Sequence, residues 1–105
     1  MKIMMFATAA MLIGGVSVTA AMAATVPVSI NDYTFSPATI TVHSGDVVTW
    51  SNGDSVPHTA TARNGGFDTG TIDPGASASV TFQKPGQYAY RCAIHPDMVG
   101  EVDVR

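Results

Sequence analysis

The sequence predicts an all-β domain, a sandwich or barrel of short strands, on three observations. Apolar residues recur at every second position in several short stretches, clusters of Gly, Pro, Asn and Asp separate those stretches, and nothing after the apolar N-terminal segment has a helical period. There is no internal repeat and no low-complexity tract.

The elements follow in order. Val26, Val28 and Ile30 alternate, and so do Ile40 and Val42. The turn Ser44-Gly45-Asp46 feeds Val47-Val48-Thr49-Trp50, whose β-branched and aromatic side chains suit a pleated, half-buried surface. Ser51-Asn52-Gly53-Asp54 breaks that run, and Asn-Gly is a strong tight-turn pair. His58 to Ala62 is predicted as a short strand of small residues, closed by the turn Arg63-Asn64-Gly65-Gly66. Beyond Asp73-Pro74-Gly75 the alternation resumes at Ala76, Ala78, Val80 and Phe82. Beyond Lys84-Pro85-Gly86 it runs through Tyr88, Tyr90 and Cys92, and the last alternation is Gly100, Val102 and Val104.

Residues 1–23 differ in kind. Lys2 precedes an apolar stretch from Ile3 to Val18, and Ala21-Met22-Ala23 is a small-x-small cleavage pattern ahead of Ala24, which predicts a secretory signal peptide over 1–23 and a mature domain over 24–105. The apolar run approaches the length of a membrane anchor, but Gly14-Gly15 within it and the A-x-A ending favour cleavage. No twin arginine is present, so nothing points to export of a prefolded protein. The 105 residues less these 23 leave 82, enough for one small domain with a thin core. In that part Arg63, Lys84, Arg91 and Arg105 face seven Asp and one Glu, a net charge of −4. Without a basic patch, neither nucleic acid nor an anionic membrane surface is an expected partner.

One cysteine cannot form an internal disulfide, yet secreted domains of this size need some staple. A bound metal would supply it and would account for a lone thiol in an oxidising compartment. The run Tyr90-Arg91-Cys92-Ala93-Ile94-His95-Pro96-Asp97-Met98 offers the ligands. C-x-x-H-x-x-M combines a strong soft thiolate, a borderline imidazole and a weak soft thioether, a set suited to copper in both of its common valences. His58, in Val56-Pro57-His58-Thr59, is the natural fourth ligand, because two His, one Cys and a long axial Met make a blue copper centre. The candidate metal ligands are therefore His58, Cys92, His95 and Met98. Strand parity puts Cys92 on the same face as Tyr88 and Tyr90, inward, where the chain leaves the sheet. Whether His58 reaches the same pole is a tertiary matter.

Other residues have plainer readings. His43 lies beside a turn on the parity opposite Val42 and is expected at the surface. Trp50 is expected in the core. Pro57, Ile94, Pro96 and Val99 flank the ligands and would form an apolar docking patch around His95, since redox partners meet through small, transient interfaces. Met1, Met4, Met5, Met11 and Met22 all fall in the predicted leader and make no methionine copper cluster.

The whole mature chain resembles the small blue copper proteins of the cupredoxin family, most of all the amicyanin branch. The resemblance rests on Gly45-Asp46-x-Val48-Thr49-Trp50-x-Asn52, on Pro57-His58, on Phe82 with Pro85-Gly86-x-Tyr88, and on Tyr90-x-Cys92-x-x-His95-Pro96-x-Met98-x-Gly100. The contracted C-x-x-H-x-x-M loop is the amicyanin feature; plastocyanins and pseudoazurins carry two more residues between His and Met. The chain departs from amicyanins at Ile94, where they usually place proline, and at Asp97, where they place an apolar aromatic. The resemblance implies a Greek-key β-sandwich with one type 1 copper at one pole, and it implies that Asn52 ties the His58 strand to the Cys92 loop.

These readings predict a diffusible, monomeric periplasmic electron carrier that meets a donor dehydrogenase or cytochrome and an acceptor cytochrome or oxidase. Enzyme activity is not expected, because substrate catalysis needs an open coordination position or a second metal and two of the three histidines are already assigned. A copper-delivery protein with the same ligands is the alternative. A zinc-stabilised module is a third reading, disfavoured by a methionine in fourth place.

Overall fold

The computed structural model describes residues 22–105, so the leader predicted over 1–23 lies outside the described residues except for Met22 and Ala23. The described chain has no helix and forms eight strands: β1 (Thr25–Asn31), β2 (Thr34–Ser36), β3 (Thr39–Val42), β4 (Asp46–Asn52), β5 (Thr61–Ala62), β6 (Ser77–Phe82), β7 (Gly86–Arg91) and β8 (Val99–Val104). They make two four-stranded sheets, ordered β2-β1-β4-β6 and β3-β8-β7-β5. The all-β class predicted from the alternations is observed, and of the sandwich and the barrel they allowed, the chain forms the sandwich that the resemblance implies.

Two of the neighbouring pairs, β1 with β4 and β3 with β8, run parallel. A parallel pair cannot close through a hairpin, so the chain crosses from one sheet to the other and back before it pairs. β7 and β8 run antiparallel from Gly86↔Val104 to Arg91↔Val99, joined by the loop that carries Cys92, His95 and Met98.

Period-2 alternation puts one face of each sheet inward. Val28, Ile30, Phe35, Val48, Trp50 and Phe82 come from the first sheet, and they meet Val42, Tyr88, Tyr90, Val102 and Val104 from the second. Trp50 is fully buried, stacks on Phe67 at 5.4 Å between ring centroids and donates its Nε1–H to the Tyr90 hydroxyl across 3.2 Å. Gly100 lies flat against the Tyr90 ring, and a Cβ there would overlap it. These contacts fix β7 and β8 at the point where they open into the loop.

One expectation is corrected, and one strand had none. The strand predicted from His58 to Ala62 reduces to Thr61–Ala62, and His58 instead makes an isolated bridge with Ile72. β2 had no sequence signal. It is three residues long and follows Asp32 and Tyr33, both at positive φ (52° and 57°).

Candidate metal centre

The site lies at the pole where β1, β4 and β7 end and β8 begins. Tyr88, Tyr90 and Cys92 share the inward face, as parity predicts, and Cys92 is fully buried just beyond β7. The loop is cinched by its own backbone: Cys92 N–H donates to the Met98 carbonyl at 3.0 Å and Met98 N–H donates to the His95 carbonyl at 3.0 Å. A chain closed at both ends holds its side chains as a cup. His58 arrives on the segment between β4 and β5, held by reciprocal backbone hydrogen bonds with Ile72 at 3.1 and 2.7 Å.

The four sequence-predicted residues gather at this pole. His58 Nδ1 is 3.8 Å and His95 Nδ1 3.6 Å from Cys92 Sγ, and the two Nδ1 atoms are 3.2 Å apart. Three potential ligand atoms thus lie within 4.8 Å of one another. His58 has no exposed surface, His95 is half-buried, and Met98 is buried beneath the loop. His43 takes no part: its side chain is 83% exposed and turned toward Asp46, as expected of a surface histidine.

Electrostatics prepare the thiol. Burial alone pushes Cys92 up, but hydrogen bonds from the Thr59 and His95 backbone N–H groups and from both imidazoles outweigh it, bringing the thiol from 9.0 to about 6. The Thr59 N–H lies 3.3 Å from Sγ. Thiolate is the form that ligates metal, so the pocket selects the ligating state in advance.

Three contributors escaped the sequence reading. Asp54, read as a turn residue, accepts from His58 Nε2 at 2.8 Å and so aims Nδ1 at the thiol. Its carboxylate also accepts the N–H groups of Asp32 (2.7 Å) and Tyr33 (3.0 Å). The Tyr33 N–H foremost, with the His58 ring and the Asp32 N–H, holds that carboxyl below its ordinary value against the opposing effect of burial. Tyr33, half-exposed, packs edge-on to both imidazoles, with centroids 5.3 Å from His58 and 4.9 Å from His95. The third is Thr59. Asn52 does not touch the Cys92 loop: its Nδ2 donates to the Val56 and Ile72 carbonyls and its Oδ1 accepts the Asp54 N–H. It therefore braces the His58 segment against β4. Thr59 makes the tie to the loop, its Oγ1 accepting the Ala93 N–H at 2.8 Å. Nor is Asn52-Gly53 a two-residue tight turn, because Asn52 ends β4 and the Gly53 N–H donates to the Ile30 carbonyl.

One thiol and two imidazoles converging in a buried pocket, with the buried Met98 on the same loop, is a donor set for copper rather than for a hard, oxygen-loving cation. The family model of the cupredoxin-like domain matches residues 3–104. The chain belongs to the cupredoxin-like family. Amicyanin-alpha of Methylorubrum extorquens is 34% identical over 104 residues, which cover 93% of this chain and 87% of that relative. Chloroplastic plastocyanin of Tetradesmus obliquus is 34% identical over 84 residues, 68% of this chain and 58% of the relative. Among solved structures, an amicyanin variant in its Cu(I) state superposes with a TM-score of 0.72 at 28% identity, covering 76% of this chain and 81% of that one. This cupredoxin is a type 1 copper electron carrier with one copper per chain, and not an enzyme.

Proposed function

We propose that His58, Cys92, His95 and Met98 would hold the copper, and that the protein shuttles electrons in the periplasm after removal of residues 1–23. The convergence of His58 Nδ1, Cys92 Sγ and His95 Nδ1 within 4.8 Å carries this reading. Bound copper supplies a one-electron couple whose two valences tolerate the same compromise ligand set. The residues do the rest. Asp54 and the Ile72 bridge fix His58, and the Thr59 and loop hydrogen bonds fix Cys92, so neither ligand needs to rearrange when charge changes.

The electron's way out is His95. It is the half-buried ligand, and around it lie exposed Ile94, Pro96 and Asp97, together with Tyr33; Pro57 and Val99 are also exposed. Such a small apolar rim suits brief encounters with a donor dehydrogenase or cytochrome and with an acceptor cytochrome or oxidase. A monomer serves this best, because the rim must stay open to two partners in turn. Export rests on the leader pattern; among the described residues no helix is long and apolar enough to cross a membrane. Copper delivery, the alternative, requires ready release, which a fully buried Cys92 and His58 oppose.

The test is to add copper(II) to the purified protein and record the visible spectrum. An intense thiolate-to-copper band is expected, lost in Cys92→Ser and altered in His58→Ala and Met98→Ala; a serine variant with an unchanged spectrum overturns the ligand assignment. Loss of copper to a competing chelator within seconds would favour delivery. Fractionation of cells tests the compartment.

A further inference from the structure

The predicted leader and the first anchored residue of the fold meet at a single peptide bond. The small-x-small pattern ends at Ala23. Among the described residues, the first whose backbone is held on both sides is Ala24. Its N–H donates to Asp46 Oδ1 across 2.9 Å and its carbonyl accepts the Val47 N–H across 2.9 Å, one residue ahead of the Thr25↔Val47 register of β1 with β4. The sequence criterion for cleavage and the structural criterion for where the fold starts are independent, and they agree.

Asp46 is unusual in its own right. Only 6% of it is exposed, and its second carboxylate oxygen accepts the His43 N–H at 2.9 Å. Among the described residues, the one basic side chain within 4.0 Å is the exposed His43 imidazole. A buried carboxylate held by neutral amides alone lacks the full cationic partner that burial of a charge calls for.

We propose that Asp46 is a receptor site for the α-ammonium group that removal of the leader creates at Ala24. It rests on the reading of residues 1–23 as a signal peptide. Hydrolysis of the Ala23–Ala24 bond by a leader-cleaving peptidase places the water's hydroxyl on the Ala23 carbonyl carbon and its hydrogen on the Ala24 nitrogen, which takes a further proton from solvent. That nitrogen already sits 2.9 Å from the carboxylate, so an amide-to-carboxylate hydrogen bond becomes an ammonium–carboxylate ion pair without movement of the chain. The pole opposite the copper centre is thereby closed by an ion pair that the unprocessed chain cannot make. A domain that gains this bond only after cleavage is weaker while it still carries its leader, which suits export of an unfolded chain.

Mass measurement of the exported protein tests the cleavage point by itself: a start at Ala24 is expected, and a start elsewhere overturns both the leader boundary and the receptor site. The copper-loaded exported protein is then compared in urea with a chain carrying one extra glycine ahead of Ala24, each with and without Asp46→Asn. The extra glycine should lower the folded-to-unfolded ratio about tenfold with Asp46 present and change it little in the Asp46→Asn background. No effect of the glycine, or an equal effect in both backgrounds, overturns the proposal. Should Asp46→Asn not fold, acetylation of the α-amine followed by mass decides: the Ala24 amine should react several-fold more slowly than the glycine-extended amine, and equal rates overturn it.

Discussion

Thr59 holds Cys92 from two directions: its backbone N–H points at the cysteine sulfur across 3.3 Å, while its hydroxyl accepts the N–H of Ala93, the next residue along. The same hydroxyl pairs with Thr61 Oγ1 at 2.8 Å, so one side chain links the His58 segment, β5 and the metal loop. Thr59→Val keeps the shape and the backbone donor but removes the hydroxyl. The expected result is a loss of about 1 kcal/mol in the apo protein, seen as a lower urea midpoint at constant slope. The thiolate-to-copper band should survive, since the N–H to sulfur remains. An unmoved midpoint would show that the hydroxyl link is idle.

Asp54 accepts the His58 Nε2–H and, with His58 as the proposed ligand, would bear on the metal through it. Its negative charge favours the more positive copper valence, so Asp54→Asn should raise the reduction potential. The substitution also turns an amide NH2 toward one of the N–H groups of Asp32, Tyr33 or His58, which should lower apo stability. Voltammetry alongside urea melts checks both. A lower stability with an unmoved potential would confine Asp54 to bracing the turn.

The core is expected to form without the metal, because its buried residues pack between the two sheets. Val48 is fully buried in mid-strand, and Val48→Ala should cost about 2 kcal/mol from two lost methyl groups and the space they leave. The cost should be equal in apo and copper-loaded protein, while the loaded form melts higher throughout. A penalty seen only in the loaded form would show that the sandwich needs copper to assemble.

Asp46 sets an acid limit. The Ala24 N–H, then the His43 N–H, hold its carboxyl below the ordinary 3.8 although burial opposes them. A carboxyl depressed in the folded state stabilises the fold above its unfolded value and loses that contribution as pH falls through the folded value. Parent protein and Asp46→Asn should therefore differ at neutral pH and converge in acid below about pH 4. Curves that stay parallel down to pH 2 would contradict this.

The legible parts of the molecule were those where one strand decides its own pattern. Alternation singled out Val28, Ile30, Tyr88 and Tyr90, all of them buried, because a side chain's face depends only on parity. The spacing of Cys92, His95 and Met98 was readable because all three ride on one loop. What escaped notice depends on neighbours distant in sequence. Asp54 and Tyr33 join the site through a turn whose partner lies more than twenty residues away, at separations of 22 and 21 for Asp32 and Tyr33. Asn52 was misplaced because Asn-Gly looks the same in sequence whether it makes a turn or ends a strand whose glycine pairs with Ile30.

Trp50 is the chain's single tryptophan, and it sits sealed between the sheets against Phe67, with its indole N–H on the hydroxyl of Tyr90, two residues ahead of Cys92. The molecule therefore carries its own optical gauge. An indole shielded from water emits at short wavelength and shifts red only when the sheets part, whereas filling of the copper pocket reports through thiolate absorption. Integrity of the sandwich and occupancy of its pole can be followed at once, in one cuvette, on the unlabelled chain.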